Sequence, residues 1–600
     1  MGAKILQIAD LNVLFETPDG DVHAVKNLSL EVGEAECLGV VGESGSGKSQ
    51  AFLAAIGLLS ANGRATGSVK YRGEEILGLS QRRLNGFRGS KITMIFQDPL
   101  TSLTPHMTVG AQLIETLCLH LRLPRDEAEK RALEVLELVR IPEGRRRMRQ
   151  YPHELSGGMR QRVMIAMGVV CGPDLLIADE PTTALDVTVQ AEILDIMRDL
   201  KDELKTSIVL VSHDMGVIAG MADRVAVMRG GEIVETGSVE EIYYAPRHGY
   251  TRMLLEAVPR LDLAEGAEPT GIKPLARDAQ PILKVDDLCV RFPVAEGWHT
   301  KELRAVDGVS FSLREGEALG IVGESGCGKS TLARALIKLI PNSDGAVLWL
   351  GRELGGLGNE ELRKLRRDFQ IVFQDPLASL DPRMTIGESI AEPLRSLKPH
   401  LARAEVTLRV RSMMDMVGLE PNWINRYPHE FSGGQNQRVG VARAMIIEPK
   451  LVICDEAVSA LDASIQRQMV DLIRELQDEF GMSLIFISHD LSVVRQIAHR
   501  VMVLYLGRIV ELASRDVIYR DPQHPYTKAL LSAVPIPDPK LERAKKRVRL
   551  TGELPSPLDT RAPLIFLKSK AIDDPDAEQY RPKLIEVAPG HFVAEHDAAI

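Results

Sequence analysis

The stretch Gly42-Glu43-Ser44-Gly45-Ser46-Gly47-Lys48-Ser49 decides the fold. It follows the short apolar run Leu38 to Val41 and precedes Ala51-Phe52-Leu53-Ala54-Ala55-Ile56, which has helical apolar spacing. A strand, a glycine-rich turn and a helix in that order form a phosphate cradle. The glycines let backbone N–H groups converge on phosphate, and the helix N-terminus adds a favourable dipole. In such a cradle Lys48 reaches the β- and γ-phosphates of a nucleotide, and Ser49 ligates Mg²⁺.

Working outward, the same stretch recurs as Gly323-Glu324-Ser325-Gly326-Cys327-Gly328-Lys329-Ser330. IFQDPLTSL from Ile95 recurs as VFQDPLASL from Val372, and YPHELSGGMRQR from Tyr151 as YPHEFSGGQNQR from Tyr427. LLIADE from Leu175 recurs as LVICDE from Leu451, and Ser-His-Asp from Ser212 as the same triplet from Ser488. The order never changes, so one domain is duplicated. The spacing predicts a first domain over 1–260, a linker over 261–281 holding Pro269, Pro274 and Pro281, and a second domain over 282–535. Residues 536–600 read as a C-terminal extension with weak order signals.

Each copy reads as α/β. Leu175 to Ala178 and Ile208 to Val211 are buried strand runs between helical stretches, which implies a largely parallel core sheet. Asp126 to Val139 has helical apolar spacing and belongs to a helical insertion. The apolar strands end in Asp179-Glu180 and Asp455-Glu456. The first carboxylate of each pair suits the Mg²⁺ shell, and the second can orient and deprotonate an attacking water.

Composition bounds the rest. The chain has 600 residues, 44% of them hydrophobic and 26% charged, as in a globular multidomain protein. Lys plus Arg number 73 against 83 Asp plus Glu, a net charge of −10, which argues against nucleic acid as the main partner. Cys37, Cys118, Cys171, Cys289, Cys327 and Cys454 form no CxxC pair and read as buried free thiols. Met1 to Asp10 lacks the pattern of a signal peptide. The longest apolar window, Val163 to Ala178, contains Gly172, Pro173 and Asp174, and reads as a helix end running into a strand. If the protein works at a membrane, another polypeptide crosses it.

These motifs together resemble the ABC ATPase family over residues 5 to 535. The resemblance is carried by Leu155-Ser156-Gly157-Gly158-Met159 and Phe431-Ser432-Gly433-Gly434-Gln435, which match the family signature. It implies that Ser156, Gly157, Gly158, Ser432, Gly433 and Gly434 bind the γ-phosphate held by the opposite domain. It implies that Gln97 and Gln374 form the Q-loop, which senses the γ-phosphate, joins the Mg²⁺ shell with Ser49, Asp179, Ser330 and Asp455, and contacts membrane subunits. Glu180 and Glu456 become the catalytic bases, and His213 and His489 the switch histidines. Ala184-Leu185-Asp186 and Ala460-Leu461-Asp462 match the D-loop, while Phe15 and Phe292 match the aromatic that stacks on adenine. The fold implied is two tandem P-loop ABC ATPase domains, each a mainly parallel core sheet with an antiparallel subdomain and a helical subdomain. Departures are Gln50 for Thr, Asn436 for Arg, and Ala457-Val458 for Pro-Thr.

Within the family the chain resembles the dipeptide, oligopeptide and nickel importer ATPases, and among them the fused glutathione-importing type. The marks are Phe96 to Pro105, Phe373 to Pro382, His524-Pro525-Tyr526-Thr527 with Ala533-Val534-Pro535, and the worn copy His248-Gly249-Tyr250-Thr251 with Ala257-Val258-Pro259. Gly590-His591-Phe592-Val593-Ala594 adds to them. The resemblance implies ATP and Mg²⁺, two transmembrane permease subunits and a separate solute-binding protein, on the cytoplasmic face of a bacterial inner membrane. Many of that group end in a segment with four cysteines. This chain keeps the frame Pro555-Ser556-Pro557-Leu558, Pro582, Leu584 and Val593-Ala594-Glu595-His596 but has no cysteine after Cys454, so no iron–sulfur cluster is expected. The competing reading is a tandem ABC ATPase acting on ribosomes or nucleic acid. The proline-bearing linker, the negative charge and the lack of cysteine clusters weigh against it.

Overall fold

Runs of apolar residues without polar alternation suit strands covered on both faces. In the computed structural model Cys37–Val41, Leu175–Asp179 and Ser207–Ser212 are such strands, buried throughout. The structure describes residues 3–18, 20–98, 102–183, 185–258, 272–275, 279–296, 299–459, 461–548, 558–559, 561–567, 569 and 580–597.

Two compact units emerge, Met1–Val258 with Pro535–Lys545, and Pro259–Val534 with Lys546–Ile600. In the first, the core sheet runs in space Glu232–Ser238, Arg224–Arg229, Cys37–Val41, Ser207–Ser212, Leu175–Asp179, Ile92–Ile95. All neighbours are parallel except the edge strand Glu232–Ser238. The strand that feeds the glycine loop is therefore flanked on both sides, and the loop leaves from its carboxyl end, where ligands bind in open α/β sheets.

Alternation along each strand sends side chains to two separate cores. Leu38, Val40, Ile177 and Val209 join Phe52 and an antiparallel sheet, Gly20–Gly33, Lys4–Thr17, Gly63–Tyr71 and Glu74–Glu75. Cys37, Val41, Ala178 and Leu210 face the other way, into a cluster with Leu113, Val135, Val163 and Ile165 from the helices Val109–His120, Arg125–Leu138 and Gly157–Val169. The antiparallel and helical subdomains thus cover opposite faces of one sheet.

The second unit repeats this plan. Its antiparallel sheet is His299–Arg314, Pro281–Glu296, Asp344–Trp349 and Arg352–Glu353. Its core sheet runs Phe369–Val372, Leu451–Asp455, Ser483–Ile487, Ala318–Val322, Arg500–Tyr505, Arg508–Ser514, then His591–Ala594 and Leu584–Ala588.

The last two strands differ from the sequence expectation of weak order in the extension. His591–Ala594 pairs with Arg508–Ser514, and Leu584–Ala588 closes a hairpin on it. Local patterning misses this hairpin because its strands are short and its order comes from pairing with a distant edge. The expected extension also divides. Helix Pro539–Ala544 belongs to the first unit, where Arg543 donates to Ala222 O (2.6 Å) and Tyr244 to Asp538 (2.7 Å). Most of the expected linker lies outside the described residues, as do Ala184, Ala460, Pro269, Pro555, Ser556 and Pro557.

Among the described residues no helix is long and apolar enough to cross a membrane. The window Val163 to Ala178 is the end of helix Gly157–Val169 followed by strand Leu175–Asp179. The six cysteines are free thiols, four of them buried.

Candidate functional site

The two cradles have nearly the same geometry. Gly42, Gly45 and Gly47 have φ of 159°, 75° and 92°, and Gly323, Gly326 and Gly328 have 153°, 77° and 103°. Gly47 shows why a side chain is excluded: a Cβ there would stand 2.2 Å from Ala24 O, and at Gly328 it would stand 2.1 Å from Ala305 O. The loop is pressed onto the antiparallel sheet, which only glycine permits at these angles. Around it, Glu43, Ser44, Ser46, Glu324, Ser325 and Cys327 complete the turns before helices Lys48–Ala55 and Lys329–Leu336.

Lys48 is almost wholly buried, and its Nζ donates to Gly42 O (2.7 Å) and Glu43 O (2.9 Å). Lys329 donates likewise to Gly323 O (2.8 Å) and Glu324 O (2.9 Å). Ser49 Oγ donates to Asp179 Oδ1 at 2.9 Å, and Ser330 Oγ to Asp455 Oδ1 at 2.8 Å. A hydroxyl and a carboxylate in contact are the hard oxygen donors that Mg²⁺ takes, so the residues present fit that ion and a nucleotide phosphate beside it.

Glu180 is the junction of the first site. Its Oε1 lies 3.1 Å from His213 Nδ1, and its Oε2 accepts from Gln97 Nε2 (3.0 Å) and Thr183 Oγ1 (2.9 Å). Glu456 takes Gln374 Nε2 at 2.8 Å, with Lys329 Nζ at 3.6 Å and His489 Nδ1 at 3.7 Å. Both glutamates are left-handed, with φ of 47° and 49°, which is uncommon for a residue with a side chain. Each is pinned by its own N–H, to Val211 O (2.9 Å) and Ile487 O (3.0 Å). Strain of this kind persists where the surroundings over-determine it, and it clusters at functional sites. The sequence carried no signal for it.

The electrostatics separate the two carboxylates of each pair. Burial pushes the Asp179 and Asp455 carboxyls above the usual range; the Ser49 and Ser330 hydrogen bonds oppose it, and the neighbouring glutamates add to it. Burial is also the largest influence on Glu180, but His213, Thr183 and Lys48 outweigh it and hold the carboxyl below its ordinary value. His489 is the first cause that holds Glu456 down, with Lys329 assisting against burial. Burial lowers the His489 ring, and Glu456 together with Asp490 more than reverses this, leaving it raised. An adjacent pair pushed apart in this way allows two different roles.

The signature residues stand at helix starts. Ser156 caps Gly157–Val169 by accepting from Met159 N (3.3 Å), and Ser432 caps Gly433–Met445 by accepting from Gln435 N (3.3 Å). A Cβ at Gly157 or Gly433 would meet nothing within 4 Å, whereas at Gly158 it would stand 2.7 Å from Val189 Cγ1 and at Gly434 2.8 Å from Ile465 Cγ2. The first glycine of each pair keeps an open helix start, and the second lets another helix approach. Gln161, one turn on, donates to Pro181 O and ties the helix to the Asp179-Glu180 turn. Asn436 is buried and donates to Pro428 O (3.0 Å) and Phe431 O (3.3 Å), so this departure from the family pattern holds the turn before the signature.

The structure thus brings Lys48, Ser49, Gln97, Asp179, Glu180 and His213 to one end of the first core sheet. Lys329, Ser330, Gln374, Asp455, Glu456 and His489 form the matching group in the second. Phe15 and Phe292 stand apart on the antiparallel sheets, partly buried against apolar clusters. Two side chains outside the predicted site reach the backbone of the cradles. The hydroxyls of Tyr250 and Tyr526 accept the N–H groups of Glu43 (3.2 Å) and Glu324 (3.1 Å). Their recurring His-x-Tyr-Thr context was the available signal.

The ABC transporter profile matches residues 25–183 and 306–459, and that of the oligopeptide/dipeptide transporter C-terminal region matches 234–281 and 510–562. The glutathione import ATP-binding protein GsiA of Pectobacterium atrosepticum is 46% identical, over 99% of this chain and 97% of that protein. Its counterpart in Escherichia coli (strain K12) is 45% identical over the same shares. A solved dimeric ATP-binding cassette in a post-hydrolysis state with ADP and Pi is 28% identical, with a TM-score of 0.36, covering 39% of this chain and 98% of that one. With two matched cassettes and full-length relatives at this identity, the chain belongs to the ABC transporter family, as an ATP-binding protein whose duplicated α/β domains are ATPases that power transport.

Proposed function

We propose that this protein hydrolyses ATP at two sites built from the residues above, to energise import of a short peptide or similar amide-bearing solute such as glutathione. The observation that carries the catalytic part is the duplicated junction of an ionised glutamate with a histidine and a glutamine, beside a Ser–Asp pair. Lys48 and Lys329 bind the β- and γ-phosphates, assisted by the loop N–H groups of 42–47 and 323–328. Ser49, Asp179 and Gln97, and in the second site Ser330, Asp455 and Gln374, would hold Mg²⁺, which would supply charge neutralisation on the phosphates. Glu180 and Glu456 orient water and take its proton, while His213 and His489 hold those carboxylates and face the γ-phosphate. Ser156, Gly157, Gly158, Ser432, Gly433 and Gly434 present capped helix N-termini to phosphate. Phe15 and Phe292 stack on adenine.

The import part rests on the relatives and on the C-terminal region shared with oligopeptide/dipeptide transporters. Two permease subunits cross the membrane, a separate binding protein selects the solute, and this chain works at the cytoplasmic face of the inner membrane. No iron–sulfur cluster is held. Glu595, in the place of the last ligand, accepts from Tyr580 and from Lys583 N, and the described tail offers no thiolate. Uptake of labelled glutathione, dipeptides and tripeptides by a deletion strain tests the solute. Normal rates for all three would overturn it.

A further inference from the structure

Beyond the cradle residues themselves, each phosphate loop is held from behind by a tyrosine far away in sequence. Tyr526 is wholly buried, and its hydroxyl accepts the N–H of Glu324, the second residue of the loop, at 3.1 Å. The ring has aromatic neighbours. It packs 4.6 Å from the Tyr505 ring and 6.3 Å from that of Phe566, and its own N–H bonds His524 Nδ1 at 3.2 Å. Tyr250 makes the same joint to Glu43 N (3.2 Å), and its N–H bonds His248 Nδ1 at 3.2 Å.

One layer further back the two copies diverge. In the first, Glu235 accepts from Arg247 N (2.7 Å), His248 N (3.1 Å) and the hydroxyl of Thr251 (2.5 Å). In the second, the matching Glu511 is fully buried and accepts from Gln523 N (2.8 Å) and His524 N (3.1 Å). Its third partner is not Thr527 but His591 of the C-terminal hairpin, at 2.8 Å. Among the described residues the buried Thr527 hydroxyl meets no hydrogen-bond partner. The hairpin strand His591–Ala594 that delivers this histidine is paired with Arg508–Ser514, the strand carrying Glu511.

We propose that Tyr250 and Tyr526 are positioning residues for ATP binding, and that the C-terminal hairpin is wired through His591 and Glu511 into the second of these two joints. A glycine-rich loop has many conformations to lose when it closes on phosphate, and a rigid acceptor behind it removes part of that loss beforehand. The tyrosines act on affinity rather than on the chemical step, since what they bond is the backbone of the loop. The proposal rests on the reading that the cradles bind ATP.

The test is equilibrium ATP binding and steady-state hydrolysis on the full-length chain. Lys48→Ala isolates the second cradle for the binding measurement. In that background Tyr526→Phe, which keeps the ring and removes the acceptor, raises the Kd for ATP about tenfold, the scale of one lost hydrogen bond to a buried donor. His591→Ala raises it in the same direction by about threefold. The double variant falls short of the product, as expected for groups on one path. In otherwise unmodified protein Tyr526→Phe raises KM for ATP and leaves kcat within about twofold, a split that general loss of structure does not produce. Tyr250→Phe in a Lys329→Ala background repeats the affinity loss at the first cradle, and there His591→Ala has no effect. Should Tyr526→Phe fold poorly, the Tyr250→Phe arm decides. An unchanged Kd in a well-folded tyrosine variant, or a lower kcat at unchanged KM, overturns the proposal. ATP binding that survives Lys48→Ala with Lys329→Ala would instead overturn the cradle reading on which it rests.

Discussion

Replacing Glu456 by Gln keeps the shape of the second site and removes its charge. The carboxylate has Lys329 Nζ at 3.6 Å and His489 Nδ1 at 3.7 Å. At 3.6 Å and an effective dielectric of about 20, the attraction between Lys329 and Glu456 is about 4–5 kcal/mol before desolvation is counted. Loss of that attraction frees Lys329 for phosphate, so ATP affinity holds or rises. Loss of the base removes a contribution of about 10²–10⁴ to the rate at that site. If the two sites turn over independently, the total rate falls to about half, and adding Glu180→Gln brings it down at least a hundredfold. If they are coupled, Glu456→Gln alone reaches that depth. The assay is phosphate release at saturating ATP with nucleotide binding measured in parallel. An unchanged rate for Glu456→Gln would refute a working second site. Weakened ATP binding would refute the charge argument. The same change lowers the raised His489 ring, because the first of its raising partners is gone and only Asp490 remains. In the parent, the stability that the raised histidine contributes is complete below its unfolded value and is lost as pH rises through its folded one. That of the lowered Glu456 is present above its unfolded value and is lost as pH falls through its folded one. Glu456→Gln flattens both limbs of the melting temperature against pH.

Asp455→Asn removes a buried carboxylate whose charge burial opposes, so the nucleotide-free protein melts higher, while Mg²⁺-dependent hydrolysis falls about a hundredfold or more; a lower melting point would contradict this. Gly434→Ala places a Cβ 2.8 Å from Ile465 Cγ2, and the forced shift costs about 1–3 kcal/mol, read as a lower denaturation midpoint. Gly433→Ala meets nothing within 4 Å and leaves that midpoint near the parent's. Protein purified without oxygen is colourless and free of stoichiometric iron; a bound-iron chromophore would show that the cysteine-free tail holds a cluster after all.

Much of the site was legible in the sequence because phosphate chemistry is local. Gly42 to Ser49 lie on one turn, and a strand ending in Asp-Glu announces itself by its apolar run. Duplication then doubled every signal, which made the weak ones, such as the histidines after Ser212 and Ser488, readable. Other features were invisible to local pattern. The left-handed glutamates arise from the way strand ends meet Val211 and Ile487, which no single stretch encodes. The His-Gly-Tyr-Thr copy looked worn beside His-Pro-Tyr-Thr, yet Tyr250 makes the same bond as Tyr526, because a hydroxyl position depends on packing rather than on the residue beside it.

By itself, then, the sequence determined the duplication, the α/β class, the cradle, the paired carboxylates and the signature helices, since each is set by residue types at short range. Tertiary structure alone decided which groups meet Glu180 and Glu456, that the end of the chain adds a hairpin to the second core sheet, and that Pro539–Ala544 packs with the first unit. It also decided that the third partner of Glu511 is His591 of the hairpin, whereas that of Glu235 is the nearby Thr251. These depend on contacts between residues tens to hundreds of positions apart, where burial and hydrogen-bond satisfaction choose the partner and sequence periodicity carries no record of the choice.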